Sequence, residues 1–401
     1  MGVYDVAVSG GGPAGLITAL GLAKNNYRVA LIAPQAPVED ERTTALLAGS
    51  VSILKDFDAW DEIAPHAAPL RIMRILDGTA RLIRAPSVSF DSAEIGLEAF
   101  GYNIRNRHLV EALRRLLKDH DAVDWLDDWT ESLDIGANGV RLTLRSGKTV
   151  EAHLVAGADG RRSPARDAAG IGIREWSYDQ CALVLNLEHT EPHFDMSTEF
   201  HTETGPFTLV PLDNGLSSLV CVVRPEDADR LANLSEELLI AELEQRGRSV
   251  LGQFKLASPV QTYPLSGMTA ERFGTNRIAL IGEAGHVFPP IGAQGLNLGI
   301  RDIADLIKAL SLSTGDAGAP HVLEAFDRKR QSDVKTRTNG VHMLNRSLLT
   351  DFLPVQFGRS AGLALARSVG PLRRFMMREG VEPGLGVRSL VERLTERKSA
   401  G

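Results

Sequence analysis

The stretch VYDVAVSGGGPAGLITALGLAKNNYRVALIAP, residues 3–34, predicts a β-strand, a tight glycine turn, an apolar helix and a second strand. The turn has G-x-G-x-x-G spacing at Gly10, Gly12 and Gly15. The first glycine of such a turn permits the sharp bend, the second lets a pyrophosphate approach the backbone, and the third lets the helix pack closely. The free N–H groups at the start of the helix then favour phosphate. The stretch predicts a dinucleotide-binding α/β fold; the alternative is a turn that only packs helix against strand.

One part of this fold is missing. The second strand, RVALIA, is expected to end in Asp or Glu, which would hold the adenosine ribose hydroxyls. Ala33 stands there instead, and Glu39, Asp40 and Glu41 follow shortly. The sequence does not decide which of these three carboxylates replaces the missing one.

A second dinucleotide fold is not evident. The glycines within residues 157–160 and 282–285 lack both the G-x-G-x-x-G spacing and a following helix in the right context. The chain is therefore predicted to hold one dinucleotide permanently and to have no separate nicotinamide domain.

Length and composition are those of an ordinary globular protein. The 401 residues are 43% hydrophobic and 24% charged, which predicts two to three domains. Only 5% of residues are aromatic and the net charge is −7, which argues against a nucleic-acid partner. Residues 324–401 are basic, with fifteen Lys or Arg against eight Asp or Glu. This end of the chain predicts either a surface that contacts something anionic or a solvated helical face.

The two cysteines, Cys181 and Cys221, form no CxxC or zinc spacing and are predicted to be buried thiols in a reducing compartment. A strand pattern begins at once, so we expect no signal peptide. The sequence contains no run of about 18 apolar residues, so it predicts no membrane span. We expect a cytoplasmic protein, peripheral on the inner membrane if its basic end contacts lipid.

Two further motifs follow the first one. LVAGADGRRSPAR, residues 154–166, places Asp159 and Gly160 after an apolar strand. RIALIGEAGHVFPPIGAQGLNLGIRD, residues 277–302, is a glycine-rich connection from a strand to a helix, with no nucleophile, metal-ligand cluster or phosphate-loop lysine. Taken alone, either motif reads as a turn.

The order of these three motifs, with DERTTALL between the first and the second, resembles that in the single-component FAD-dependent aromatic hydroxylases related to p-hydroxybenzoate hydroxylase. More narrowly, PPIGAQGLNLGIRD and PLRRFMMREGV are similar to sequences of the ubiquinone-biosynthesis hydroxylases (the UbiH/UbiF/COQ6 family). The resemblance covers nearly the whole chain. It implies a Rossmann-like FAD-binding domain interleaved with a mostly antiparallel β-sheet substrate domain and followed by a C-terminal helical region.

The domain limits that we predict are 1–70, 101–170 and 276–345 for the FAD-binding domain, 71–100 and 171–275 for the substrate domain, and 346–401 for the helical region. Alternating apolar and polar residues, with GPFTLVPLDNGLSSLVCVV as the clearest hairpin, also predict the antiparallel sheet. Residues 301–312 and 322–349 have a helical period. The apolar, arginine-rich segment 359–378 is expected to lie on a membrane, contact a partner or pack on the core.

The resemblance implies that FAD contacts Gly10, Gly12, Pro13, Ala14, Gly15, Arg42, Thr43, Arg107, Asp159, Gly282, Glu283, Pro289, Gly292, Gln294, Gly295, Leu296 and Asn297. Glu283 stands where the family usually has Asp, and its implied role is to hold the ribityl chain. The bare loop from Pro289 to Gly295 is expected to lie against the isoalloxazine ring. The helix from about Leu296 would point its N–H groups at the pyrimidine edge of the flavin. Asp159 is implied to serve both FAD and a transiently bound nicotinamide.

The resemblance places the antiparallel sheet over the flavin, so five residues are predicted to line a substrate pocket: Phe207, Leu209, Pro211, Pro290 and Ile291. The alternative for each is ordinary packing in the sheet core. No side chain is assigned as catalytic, because the flavin performs the chemistry, and no metal site is predicted. His286 is interpreted as a capped or packed histidine rather than an acid or base.

The implied reaction begins when NAD(P)H or reduced ferredoxin reduces FAD. The flavin then reacts with O₂ to form a C4a-hydroperoxide, which transfers one oxygen to a polyprenylated phenol in a site that excludes water. Other quinone-biosynthesis proteins and a membrane surface are the expected partners. Two alternatives stay open: a hydroxylase of small soluble aromatics in catabolism, and a non-catalytic flavin- or lipid-binding accessory subunit.

Overall fold

The computed structural model describes residues 2–36, 40–79, 86–289, 294–313, 315–349 and 370–381, with the backbone alone for 339–349. The strands are β1 Tyr4–Ser9, β2 Val29–Ile32, β3 Thr43–Leu47, β4 Ala68–Pro69, β5 Ile72–Asp77, β6 Val88–Asp91, β7 Gly101–Arg105, β8 Val123–Leu126, β9 Thr130–Ile135, β10 Val140–Leu144, β11 Thr149–Gly157, β12 Ile173–His189, β13 Met196–His201, β14 Pro206–Pro211, β15 Ser217–Val223, β16 Phe254–Leu256, β17 Gln261–Ala270, β18 Gly274–Thr275, β19 Ile278–Leu280 and β20 His286–Val287. The helices are α1 Pro13–Lys24, α2 Ala48–Asp56, α3 Trp60–Ile63, α4 Asn106–Lys118, α5 Pro164–Ala168, α6 Pro225–Ala232, α7 Glu236–Arg246, α8 Gly295–Leu310, α9 Pro320–Leu349 and α10 Gly370–Val381.

The first sheet is the predicted nucleotide-binding sheet. Its parallel strands lie in the order β8, β2, β1, β11, β19, and the short β18 is antiparallel at the edge beyond β19. β10 and β9 extend the sheet as an antiparallel ribbon from the first half of β11. Every residue of β2 is buried, as expected for a parallel strand covered on both faces. The predicted strand, glycine turn, helix and strand at the start of the chain are confirmed.

The second sheet is the predicted, mostly antiparallel one. Its order is β20, β17, β12, β15, β14, β13, β5, β6, and β16 pairs with the end of β12. The predicted hairpin is confirmed, since β14 and β15 pair antiparallel from Phe207 and Cys221 to Pro211 and Ser217. The exception to the antiparallel pattern is β13, which runs parallel to β5.

A third, three-stranded sheet of β3, β7 and β4 is present, and the sequence did not predict it. Its Asn103 donates to the carbonyl oxygen of Pro211 in the second sheet, and its Leu47 donates to Asn297 of α8. The two larger sheets alternate along the chain, and β20 from the third predicted FAD segment pairs with β17. The mixed α/β fold class is confirmed, whereas the numerical domain limits stay a prediction.

The helical predictions near the end of the chain agree with α8 and α9. Of the segment 359–378, residues 359–369 lie outside the described part, and α10 begins at the Gly370-Pro371 pair within it. None of the helices within the described residues is both long and apolar enough to cross a membrane. Cys181 and Cys221 are buried free thiols, as predicted.

Candidate active site

The three sequence motifs meet at one edge of the first sheet. β1, β11 and β19 are parallel, so their carboxyl ends lie at the same edge, where ligands of open α/β sheets bind. A side-chain carbon built on Gly10 would lie 2.2 Å from the carbonyl oxygen of Ala158, which precedes Asp159. One built on Gly282 would lie 3.2 Å from Cβ of Ala14. The glycine turn, the Asp-Gly turn and the turn after β19 therefore form one continuous site.

The glycines of the first turn have different structural requirements. Gly10 has φ +121°, in the region that favours glycine. A Cβ on Gly15 would lie 2.0 Å from the carbonyl oxygen of Gly10, so no larger residue fits between the turn and α1. Gly12, in contrast, is an exposed N-cap with extended backbone, and a Cβ there would have no atom within 4 Å. The open space next to the start of α1 is where a phosphate group would approach the helix.

The Asp-Gly turn presents an unsatisfied acceptor to this site. Asp159 accepts a hydrogen bond from the backbone N–H of Ala165 through Oδ2 (3.0 Å), while its buried Oδ1 has no hydrogen-bond partner among the described residues. Burial raises the pKa of the Asp159 carboxyl. Gly160 beside it has φ +78° and open space where a side chain would be. A ligand hydroxyl or N–H would satisfy Oδ1.

Arg166, to which the sequence assigned no role, joins the second and third motifs. It is 5% exposed and donates to the carbonyl oxygens of Ala284 (3.1 Å) and Arg161 (2.9 Å). An arginine inside a Ser-Pro-Ala-Arg helix start gives no local signal for this bond, because Ala284 is 118 residues away. Arg166 fixes the Asp-Gly turn relative to the turn after β19.

Glu283 lies in a 3₁₀ turn, Gly282–Ala284, with its side chain 60% exposed and 3.5 Å from Nε of Arg161. The guanidinium of Arg42 lies 5.6 Å from the ring centre of Tyr263. The hydrogen-bonded Asp40 carboxylate raises the pKa of Arg42, with smaller contributions from Tyr263 and Glu283. The structure therefore brings the predicted residues Arg42 and Glu283 into the same neighbourhood.

The position expected to bind ribose is occupied by a packed residue. Ala33 is 1% exposed, and its Cβ lies where a side chain on Gly11 would be. Its carbonyl oxygen accepts a hydrogen bond from the Trp125 indole (2.9 Å).

Two of the three candidate replacements are already engaged, and Glu39 lies outside the described residues. Asp40 pairs with Arg42 (2.7 Å) and accepts from Asn106; these bonds outweigh burial and lower its pKa. Glu41 pairs with the predicted FAD residue Arg107 and lies 3.7 Å from Arg105. Arg107 is thus joined to residues 40–42, at the start of α4.

Residues at the start of α8 join this helix to β3. Asn297 accepts from the N–H of Leu47 (2.8 Å) and donates to the carbonyl oxygen of Ala45 (2.7 Å), so its side chain positions the helix. Gln294 contacts Arg337, Gly295 is exposed with open space around it, Leu296 is half-buried and Pro289 is buried. Thr43 contacts Ser218 of the second sheet (3.1 Å). Pro290, Ile291 and Gly292 lie outside the described residues.

The predicted pocket residues Phe207 and Leu209 do not face this site. Each is 1% exposed and packs in a core cluster with Leu239 and Leu243 of α7. This prediction therefore needs correction: both side chains point to the helix-covered face of the second sheet, which leaves no space for a ligand. Pro211 is buried at the end of β14, and its carbonyl oxygen accepts a hydrogen bond from Asn103 (2.9 Å).

The opposite face of the same sheet is directed toward the nucleotide-binding part. On that face Asn186 donates to the carbonyl oxygen of Glu41 (3.0 Å), and Ser218 contacts Thr43. Because side chains alternate along a strand and β15 pairs with β12 and β14, Val184, Val210 and Val220 share this face, and all three are half-buried. Strand alternation contained this signal, but the sequence did not identify which face the helices cover.

His286 is a packed histidine in the structure. It is 2% exposed, its ring lies 6.2 Å from that of Phe273 and 5.8 Å from that of Phe288, and its Nε2 is 2.7 Å from Asp302 Oδ2. This burial separates the imidazole from solvent.

The described residues also bring His66, His108 and Asp213 within metal-ligand range of one another. Two cations oppose a metal ion there. Arg107 donates to His108 Nε2 (3.1 Å), and Arg105 lies 3.1 Å from Asp213. We therefore describe this cluster as a set of charged and polar contacts at the start of α4.

Comparison with known proteins gives a consistent result. A family profile described as "FAD binding domain" matches residues 3–339. The "ubiquinone hydroxylase UbiL" of Rhodospirillum rubrum is 33% identical, covering 94% of this chain and 90% of the relative. The "3-demethoxyubiquinol 3-hydroxylase" of Escherichia coli is 31% identical, covering 92% and 96%.

Among solved structures, p-nitrophenol 4-monooxygenase PnpA from Pseudomonas putida is similar with a TM-score of 0.76, covering 94% of this chain and 98% of that chain. At 22% identity, this likeness shows the fold. The arrangement of a parallel nucleotide sheet and a mostly antiparallel second sheet is therefore shared with a known monooxygenase.

Proposed function

Because this chain belongs to the UbiH/UbiF/COQ6 family of FAD-dependent hydroxylases, we propose that it inserts one oxygen atom from O₂ into the ring of a polyprenylated phenol during ubiquinone biosynthesis. FAD is its cofactor. The observation that carries the proposal is similarity along nearly the whole chain to a ubiquinone hydroxylase, together with all three motifs at one sheet edge.

The residues at this edge fit FAD on structural grounds. Gly12 leaves open space at the start of α1, where N–H groups and the helix dipole favour the pyrophosphate. Asp159 has a buried acceptor oxygen without a partner among the described residues, next to the open space at Gly160. These features support binding of the pyrophosphate by residues 10–15 and of a hydroxyl-bearing part of the cofactor by Asp159.

Bound FAD would supply the redox chemistry, with NAD(P)H or reduced ferredoxin as electron donor and O₂ as co-substrate. The protein's own residues then bind, orient and exclude water. Gly295 and the following residues present the exposed start of α8, whose N–H groups favour negative charge on the ligand. We assign Glu283 the role of accepting hydrogen bonds from ribityl hydroxyls; its largely exposed side chain, 3.5 Å from Arg161 Nε, supports this.

The substrate ring is proposed to lie against the open face of the second sheet rather than beside Phe207 and Leu209. Val184, Val210 and Val220 supply apolar, half-buried surface there. Asn186 and Ser218 join the same face to residues 41–43. An apolar wall beside the nucleotide-binding edge suits an aromatic ring and excludes water from it.

Mass spectrometry of quinone lipids in cells lacking this gene tests the proposal. We expect a prenylated phenol one oxygen short to accumulate and the native gene to restore the quinone. A gene carrying Gly12→Asp is the matched control, because the carboxylate would repel the pyrophosphate while Asp is a good N-cap. This variant should fold but fail to restore the quinone.

The two alternatives give other results. An unchanged quinone pool, with no redundant enzyme, would favour a hydroxylase of small soluble aromatics. Restoration of the quinone by the Gly12→Asp gene would favour an accessory subunit that acts without flavin. The position of the missing oxygen in the accumulated phenol would identify the ring carbon.

We further propose that the basic C-terminal part contacts an anionic membrane surface or other quinone-biosynthesis proteins. The excess of arginine and lysine in residues 324–401 supports this. In α10, Leu372 and Met376 are 38% and 44% exposed, and Arg374 lies between them in the chain. Apolar side chains beside cations are typical of helices that lie at a lipid interface.

A further inference from the structure

A buried group of charged side chains is centred on Asp302 of α8. Its carboxylate is 0% exposed and accepts a hydrogen bond from the backbone N–H of Gly282 through Oδ2 (2.9 Å). The same oxygen lies 2.7 Å from His286 Nε2. Oδ1 lies 2.6 Å from Nε of Arg330, which is itself 0% exposed on α9. One carboxylate thus joins the turn after β19 to both long helices.

The contacts continue from Arg330 to the other end of the glycine-rich loop. Arg330 Nη1 lies 2.9 Å from Asp333 and 2.8 Å from Asp305. Asp333 also contacts Arg337 (3.3 Å), which donates to the side chain of Gln294. The path therefore begins at Gly282 and His286, after β19, and ends at Gln294, the N-cap residue of α8.

Burial of these charged side chains costs free energy unless each charge has partners of opposite sign. Two charges taken out of water lose hydration that their mutual attraction only partly replaces, so a buried ion pair is weak evidence for stability. With Arg301, which contacts Asp333 (3.1 Å), the arginines of the group equal its aspartates in number. The network is therefore better explained by what it positions than by the stability that it adds.

We propose that Asp302 is a positioning residue for the flavin: it fixes the turn after β19 relative to α8 and α9, and through Arg330, Asp333 and Arg337 it joins this turn to Gln294 at the start of α8. This inference rests on the proposed function, because Gly282 in the turn and Gln294 at the start of α8 are among the residues implied to contact FAD. Backbone groups that face a ligand lose less entropy on binding when they are already held in place.

Asp302 is hydrogen-bonded to Gly282 (2.9 Å), which is implied to contact FAD, so its carboxylate would also influence the cofactor electrostatically. A negative charge in a low-dielectric region disfavours a further negative charge on a neighbouring group. Removal of this charge, with Arg330 retained, should make a bound flavin easier to reduce. A purely structural role would not change the reduction potential in this direction.

Asp302→Asn tests the inference in the purified holoenzyme. We expect FAD to dissociate at least about tenfold faster than from wild type, measured by the rise of flavin fluorescence on release. We also expect the reduction potential of the bound flavin to become more positive. The matched control is Asp316→Asn. It breaks a two-contact ion pair with Arg277 (2.7 and 2.8 Å) at the start of β19, away from the loop. The control should lower the melting temperature but leave the potential and FAD release within about twofold of wild type.

Arg337→Gln provides a second test if Asp302→Asn does not fold. It removes the contact to Gln294 and keeps Asp302 and Arg330 paired. We expect several-fold faster FAD release with a changed flavin absorbance band and little change in melting temperature. Asp302→Asn and Arg337→Gln proteins that keep the wild-type potential, spectrum and FAD release would overturn the inference. A wild-type protein that binds no FAD would instead contradict the proposed function.

Discussion

At the scale of single residues, Gly12 and Gly15 belong to one motif but have separable roles. Gly15 is required for packing, because the carbonyl oxygen of Gly10 occupies the space that a side chain would need. Gly12 is required for the ligand, because its own surroundings would accept a larger residue. A motif glycine therefore does not by itself report on ligand binding, and the geometry distinguishes the two cases.

Gly15→Ala and Gly12→Asp should give opposite results in the purified protein. Gly15→Ala should lower the free energy of unfolding by about 1–3 kcal/mol, because backbone atoms must move to relieve the overlap. Gly12→Asp should unfold at the wild-type urea midpoint in the FAD-free form but bind FAD at least tenfold more weakly. The measurements are urea unfolding and FAD titration. A Gly12→Asp protein with normal FAD affinity would show that the pyrophosphate does not approach this turn.

Sequence patterns identified the site residues whose role depends on local backbone conformation. The glycine turn and the Asp-Gly turn were recognisable because each depends on backbone conformation within a few positions. The sequence assigned no role to Arg166, Asp302 and Arg330, because their partners lie far away in the chain. Such pairings require the sheet order, which local patterns do not contain.

At the scale of elements, the β14–β15 hairpin illustrates what alternation can and cannot predict. The strands and their pairing follow from the alternating pattern and the turn between them. Which face is covered depends on α6 and α7, and both faces of β14 and β15 contain apolar residues. Phe207 and Leu209 therefore lie on the helix-covered face and not in the predicted pocket, and the sequence did not identify the valines of the opposite face.

Helix α10 allows an element-scale test of membrane contact. It is docked through Arg373, whose guanidinium pairs with Glu94 (2.6 Å) and lies 4.6 Å from the Phe90 ring centre, and through Met377 in a core cluster. This packing leaves Leu372 and Met376 exposed.

The variant Leu372→Glu with Met376→Glu should bind anionic vesicles several-fold more weakly than wild type in co-sedimentation, because it removes apolar surface and adds negative charge. Leu238→Glu, at an exposed leucine on α7, is the control and should bind like wild type. Equal binding by all three proteins would exclude this face of α10 from the contact.

At the scale of the whole molecule, polar contacts join the second sheet to the third sheet and to the residue that precedes Arg42. Asn103 of β7 donates to the carbonyl oxygen of Pro211 and contacts Ser218, and Asn186 of β12 donates to the carbonyl oxygen of Glu41. Two histidines are relevant to the pH dependence of stability: His108 in α4 and His193 in the segment after β12. Arg107 donates to His108 Nε2, and the N–H of Asp195 donates to His193 Nδ1, so each ring accepts a hydrogen bond that requires an unprotonated nitrogen.

These histidines predict a pH dependence of stability. Burial lowers the pKa of both His108 and His193 below the unfolded value of about 6.5. As pH falls, the unfolded chain therefore takes up protons first, and the free energy of unfolding should decrease between about pH 7 and pH 5. Urea unfolding across this range measures the slope.

A double variant, His108→Gln with His193→Asn, keeps an acceptor near each position without a titrating ring. Its slope between pH 7 and pH 5 should be smaller than that of wild type. A variant with an unchanged slope would assign the pH dependence to other groups. Below about pH 4 both proteins should lose stability together, because carboxylates such as Asp40 and Asp333, whose pKa values are lowered, become protonated.

The order of the parallel sheet also determines when the protein can mature during translation. The carboxyl half of β11 has β1, from the start of the chain, on one side and β19, Ile278–Leu280, on the other. Until the ribosome has released β19 and α8, this apolar strand has an open edge that chaperones or other nascent chains can bind. Flavin capture is therefore a late event, and truncated translation products that end before α8 should require degradation rather than accumulate as partial flavoproteins.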